Sequence, residues 1–185
     1  IYNRAKKLHI DVETKRVVFI LETGQGKDYT ALENVKNIFQ GKKGDFITAV
    51  DEKNLIVVKE IAPGEGYPEI NKTARMMLNL LKGETGEEIH IAYGTIVPEL
   101  KEVSRSYKEA KMALDVGKIF FEEKDVIAYS TLGIGRLIYQ LPMSLCEMFI
   151  HEVFGDEIPD IFNEETTTTI QKFFENNLNL SLIHI

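Results

Sequence analysis

The run Arg16-Val17-Val18-Phe19-Ile20-Leu21 constrains this chain more than any other segment. Five consecutive aliphatic or aromatic residues follow the arginine, so the strand they form cannot alternate between core and water. Such a strand is covered on both faces and lies inside a sheet. The rest of the chain must supply those covers. Thr23-Gly24-Gln25-Gly26 breaks the strand, and Asp28 is placed to cap a helix. In that helix Tyr29, Leu32, Val35 and Ile38 recur at helical spacing, and Gly41 is expected to stop it.

Phe46-Ile47-Thr48-Ala49-Val50 and Leu55-Ile56-Val57-Val58 flank Asp51-Glu52-Lys53-Asn54. Two apolar runs around a short polar turn predict a β-hairpin. Pro63-Gly64-Glu65-Gly66 is a loop. A second helix follows, with Ile70, Ala74, Met77, Leu78 and Leu81 on one face and Gly83 and Gly86 at its end. Ile89-His90-Ile91-Ala92-Tyr93-Gly94 reads as a strand. Pro98 suits the first turn of a third helix, whose apolar stripe is expected to be Leu100, Val103, Tyr107, Ala110 and Leu114, ending at Gly117. Val126-Ile127-Ala128-Tyr129 fits a last, edge strand.

The order β, α, β-hairpin, α, β, α, β predicts an α+β fold, an antiparallel sheet covered by helices. Strand signals vanish after residue 130. Leu132 to Gln140, Ser144 to Val153 and Glu164 to Asn177 look helical, punctuated by Pro142 and Pro159. Asn163 is a natural N-cap, with Glu164 and Glu165 near the positive end of that helix. Residues 1–130 are therefore read as one domain and residues 131–185 as a helical appendage or the start of a second.

Composition narrows the function. The 185 residues are 44% hydrophobic and 28% charged, the balance of a globular protein. A net charge of −7 opposes DNA phosphates, and Lys6-Lys7 and Lys42-Lys43 are too short to form a basic footprint. No apolar run approaches the roughly 18 residues that span a bilayer, and no signal peptide is visible. The one cysteine, Cys146, forms no internal disulfide, which fits a reducing, cytoplasmic setting.

Few residues suggest chemistry. Gly24-x-Gly26-Lys27 lacks the spacing of a phosphate loop and reads as a strand-to-helix turn. His9, His90, His151 and His184 share no metal-ligand spacing with one another or with Cys146. His90 is expected to be a structural histidine. Cys146, beside Leu145 and Met148, is expected to pack as a small apolar residue. The serines lack a nucleophile-elbow context. The carboxylates say more: Glu22 ends the first strand, and Asp51 and Glu52 sit at the hairpin tip. Palm-type nucleotidyl-transfer enzymes gather acidic residues at such neighbouring strand ends to hold two Mg²⁺ ions. Exposed turns are also acidic simply because they are wet.

Several segments resemble the carbohydrate-diacid regulator family and its purine-catabolism relatives. They are Arg4-Ala5-Lys6-Lys7-Leu8-His9-Ile10-Asp11, Ile91-Ala92-Tyr93-Gly94 with Ser106 to Leu114, and the tract from Ile161 through Ser181. The resemblance implies a central domain similar to the Gly-Gly-Asp-Glu-Phe (GGDEF) cyclases. It also implies a sugar-diacid-sensing domain before it and a DNA-reading helix-turn-helix after it. In the active cyclases two adjacent glycines at the hairpin let the nucleotide approach the backbone, and an acidic pair serves metal and catalysis. Here the hairpin reads Val50-Asp51-Glu52-Lys53-Asn54. Both glycines are absent, side chains obstruct close approach, and Lys53 adds a cation where metal would bind.

The expectation is therefore a regulatory module and not an enzyme, with no catalytic, cofactor-binding or metal-binding residues and no cofactor. It would couple an effector such as glycerate, galactarate or glucarate to DNA binding, partly by self-association. It would meet DNA only through the helix-turn-helix, sense sugar diacid through the preceding domain, and have no membrane partner. The competing readings are a divergent cyclase using Glu22, Asp51 and Glu52, or a nucleotide receptor that has lost catalysis.

Overall fold

The computed structural model describes residues 2–23, 29–39, 44–51, 53–85, 88–121, 124–155 and 163–176. Five strands form one sheet: β1 (Arg16–Thr23), β2 (Phe46–Ala49), β3 (Asn54–Glu60), β4 (Ile89–Tyr93) and β5 (Val126–Ala128). Their order is β2-β3-β1-β4-β5. The first strand in sequence is thus the middle one in space, as its unbroken apolar run requires. Every pair is antiparallel except the last, in which β5 lies parallel to β4 at the edge.

The covers are helices. α1 (Tyr2–Lys7) precedes β1, and α2 (Tyr29–Ile38) and α3 (Tyr67–Thr85) lie on one face of the sheet. There Val17, Phe19 and Leu21 meet Val35, Ile70, Ala74, Met77 and Leu81 in the larger core. α4 (Val103–Phe120) covers the other face, where Ile20, Ala92 and Ile127 meet Ala110, Ala113, Leu114 and Val116. The result is three layers, with β1 alternating its apolar residues between two cores. The predicted α+β class and the edge position of residues 126–128 both stand.

α4 differs from its sequence reading. Tyr107 is exposed, and Leu100 and Val103 are only half-buried. The inward face keeps Ala110 and Leu114 of the expected stripe and adds Ser106, Ala113, Val116 and Gly117. The large residues Leu100, Val103 and Tyr107 fall off that face at the N-terminal end, where Ser106 meets the sheet at close range. Gly117 does not end α4; it lies inside the helix, where a Cβ would come within 2.0 Å of Ile127 Cδ1. Gly83 likewise lies within α3. Pro98 precedes a 3₁₀ turn, Leu100–Glu102, rather than opening α4. Gly41 and Gly86 lie outside the described residues, as do Asp28, the Gly24–Lys27 turn and Pro159.

Beyond the sheet, residues 132–140 supply only the short α5 (Gly135–Ile138), and α6 (Met143–Phe154) and α7 (Glu164–Glu175) follow. Asn163 caps α7, its Oδ1 accepting the Thr166 N–H at 2.9 Å. Among the described residues no helix is long and apolar enough to cross a membrane.

Candidate functional site

The antiparallel pairing of β1 and β3 brings the acidic residues to one end of the sheet. Glu22 sits opposite Asn54 across that pair, and the hairpin between β2 and β3 carries Asp51 beside it. Glu52 lies outside the described residues. A recess of about 120 Å³ opens here, lined by Ile20, Val50, Asp51, Asn54, Ile56, Tyr107 and Lys111. Tyr107, read from sequence as core, belongs to this recess.

Both described carboxylates are already engaged. Glu22 is held in an ion pair by Lys118, which reaches over from α4. Asp51 builds the turn: its Oδ1 accepts the N–H groups of Lys53 and Asn54, each at 2.8 Å, and the Asn54 side-chain amide donates to both of its oxygens. The Lys53 N–H, the Asn54 side chain and the nearby charge of Lys111 hold the Asp51 carboxyl below the ordinary aspartate range. This is an Asx turn, in which the side chain substitutes for a backbone acceptor.

α4 supplies a second polar chain next to the recess. Lys111 Nζ donates to Asp115 Oδ1 at 2.8 Å, and the Tyr139 hydroxyl donates to Asp115 Oδ2 at 3.0 Å. The Asp115 carboxylate favours the charged ammonium and raises the Lys111 pKa; it also raises that of Tyr139. Tyr139 immediately follows α5, so one helix face touches both the recess and the start of the appendage.

These donors do not suit the two Mg²⁺ ions that cyclase chemistry needs. A dication at Glu22 would compete with a covalently tethered ammonium already in contact. At Asp51 the turn's hydrogen bonds fall mainly on Oδ1, so a metal would find little more than the single oxygen Oδ2 there. Among the described residues no group of three or more His, Cys, Asp or Glu side chains could hold a metal ion. Lys118 was not legible as a site residue: it lies 96 positions from Glu22, and only the docking of α4 brings the two together.

The other sequence candidates are dispersed. His90 is half-buried on β4, its Nε2 4.0 Å from Glu88. His9 lies past α1 with a left-handed backbone, φ 54°. His151 and Cys146 are on α6, where Cys146 is half-buried rather than in a core. His184 lies outside the described residues. At the opposite end of the sheet lie two buried cations, Arg16 and Lys59. Lys59 Nζ contacts Glu65 Oε2 at 2.5 Å, and the Arg16 guanidinium donates to the carbonyls of Asp11 and Thr14. Both tie loops to strand ends.

A mixed sheet with helices on both faces and acidic groups gathered at the hairpin end defines the class, an α+β module whose Glu22 is paired with a lysine and whose Asp51 is spent on its own turn. The chain belongs to the GGDEF-like domain family, whose model matches residues 1–116, from α1 through most of α4. Among solved structures it is similar to the crystal structure of a DGC protein from Thermotoga maritima. That likeness is 17% identical, covers 61% of this chain and 85% of the other, and has a TM-score of 0.43. No curated protein sequence matches the chain.

Proposed function

We propose that this GGDEF-like domain is a non-catalytic regulatory module of a bacterial transcriptional regulator of sugar-diacid use. The observation that carries the non-catalytic part is the Lys118–Glu22 ion pair. A tethered ammonium neutralises the carboxylate at the strand end where a cyclase would hold metal, while the Asp51 turn lacks the glycines that admit a nucleotide. The transcriptional part rests on the resemblance of the segments around Ile91–Gly94 and Ser106–Leu114. In this reading effector binding is the work of a preceding domain and DNA reading that of a following helix-turn-helix, consistent with a net charge of −7 here. The protein acts in the cytoplasm as a homo-oligomer. Coupling requires an effector that binds two arrangements of the protein unequally. The Lys111–Asp115–Tyr139 chain supports such coupling, because it links the recess to the residue that follows α5.

The test is incubation with GTP and Mg²⁺, with product separation by chromatography, on the parent chain and on Lys118→Ala. Neither is expected to form a cyclic dinucleotide. Product from the parent that disappears in Asp51→Ala would establish a divergent cyclase instead. Calorimetry with GTP and cyclic di-GMP addresses the receptor reading, and binding of either would replace the present one. For the transcriptional part, the full-length regulator should change its operator affinity on adding galactarate or glucarate. An operator affinity indifferent to every diacid would refute it.

A further inference from the structure

We propose that α6 is the surface through which two copies of this chain associate, packed antiparallel about a two-fold axis at Phe149. The proposal rests on the homo-oligomer reading above and gives it a surface. Among the described helices α6 is the most apolar, yet none of its residues is buried. Met143 is 73% exposed and Phe149 61%, and Leu145, Met148, Ile150 and Val153 are exposed beside them. At 3.6 residues per turn these six positions spread over roughly 200° of the helix circumference. A single core-facing stripe needs only about half of that. Such a helix calls for a partner that covers a wide face.

Size and charge choose the partner. Leu137 and Leu141, just upstream, extend the apolar surface. Taking about 150 Å² for a fully exposed large side chain, the lower end of the aromatic range, the exposed fractions amount to roughly 650 Å². That exceeds the usual patch on a monomer and approaches the ~800 Å² that each partner contributes to a standard interface. α6 carries Glu147, Glu152 and His151 but no lysine or arginine. A helix lying on an anionic membrane displays a basic polar face, and nucleic acid needs cations, so both suit it poorly. Interfaces between identical chains are the apolar, charge-depleted kind.

Self-complementarity follows from spacing. Leu145, Phe149 and Val153 recur every four residues and form one seam. A two-fold axis at Phe149 sets Phe149 against its own copy and Leu145 against Val153, while Ser144, Glu147 and His151 fall on the opposite side of the helix and Glu152, about 60° from the seam, faces Cys146 of the second copy and not its own copy. Like charges are not brought together, and the largest side chain lies at the centre, where binding energy concentrates.

The experiment measures the oligomeric state of the full chain by sedimentation equilibrium, in the parent, in Phe149→Glu and in Ile119→Glu. Ile119 is similarly exposed, but on α4. The expected result is a parent dimer, an Ile119→Glu dimer, and a dissociation constant raised roughly 30-fold or more in Phe149→Glu. Far-UV circular dichroism verifies that the variants fold. A second readout needs no variant, because Cys146 is the chain's one cysteine and lies on α6. The antiparallel register places the two Cys146 Cα atoms about 13 Å apart, from the helix rise and an ordinary interaxial distance. That is too far for a disulfide and within reach of a long bismaleimide. Cross-linked dimer without spontaneous disulfide is expected. A monomeric parent, with or without affinity for vesicles, overturns the proposal, as does a Phe149→Glu dimer as tight as the parent. A cyclase-active dimer would overturn the non-catalytic reading and leave this interface standing; an inactive monomer would do the reverse.

Discussion

Gly94→Ala and Gly117→Ala make the same chemical change at two points of one helix–sheet interface, and the structure gives them different costs. β4 ends at Tyr93, so the Val18 N–H on that side of β1 has no strand partner and is met by the Ser106 hydroxyl at 3.0 Å. The same hydroxyl donates to the Thr95 carbonyl at 2.8 Å. Ser106 fits there because Gly94 has no side chain: a methyl would lie 2.1 Å from the Ser106 carbonyl oxygen and 2.7 Å from its Oγ. Backbone cannot rotate away, so α4 must lift. Overpacking costs about 1–3 kcal/mol, and leaving the buried Val18 N–H unmet costs about 1–3 kcal/mol more. Gly94→Ala should therefore lose about 2–6 kcal/mol.

At Gly117 the obstacle is Ile127 Cδ1, the free end of a side chain. Turning it costs about 0.5–1.5 kcal/mol, while alanine in a helix interior returns about 1 kcal/mol relative to glycine. Gly117→Ala should stay within about 1 kcal/mol of the parent. Urea unfolding with unchanged m-values measures both. Equal losses in the two variants, or a Gly94→Ala protein as stable as the parent, would refute this account of how α4 meets the sheet.

Ser106→Ala tests the same contact from the helix side and should cost about 1–3 kcal/mol in urea unfolding. Asn163→Ala removes the α7 cap and should weaken that helix by about 1 kcal/mol, seen as faster amide exchange at Thr166. The Asp51 carboxyl has its pKa depressed by the Lys53 and Asn54 donors. The turn's stabilisation is therefore complete above the ordinary aspartate range and is lost as pH falls through the lower, folded-state value. Amide shifts of Lys53 and Asn54 followed by NMR should titrate below that range, and Asp51→Ala should abolish the transition.

The fold was largely legible because its signals are local. Five apolar residues in a row placed β1 at the centre of the sheet, the polar Asp51–Asn54 segment marked the hairpin, and the Ile70/Ala74/Met77/Leu78/Leu81 spacing gave the buried face of α3. In α4 the spacing gave Ala110 and Leu114 but not Ser106, Ala113 and Gly117, small residues that carry little hydrophobic signal yet are what a close approach needs. The meeting of Glu22 with the hairpin followed from strand order alone. Its capture by Lys118 depends on how a distant helix docks, and no local pattern encodes that. The helical nature of α6 was legible as well. Its exposure was not, since an apolar helix reads the same whether or not the chain's own core receives it.

The central position of β1 has a consequence for synthesis. Its two neighbours are β3, ending at Glu60, and β4, ending at Tyr93. At 5–20 residues per second, about 4–14 s separate the emergence of β1 from that of β4. During that interval the most hydrophobic strand of the domain has a bare edge and no α4 to shield its second face. An unpaired apolar strand is a template for pairing with other chains. The residues that make the finished sheet secure are thus the ones a ribosome-bound chain must keep from its neighbours longest.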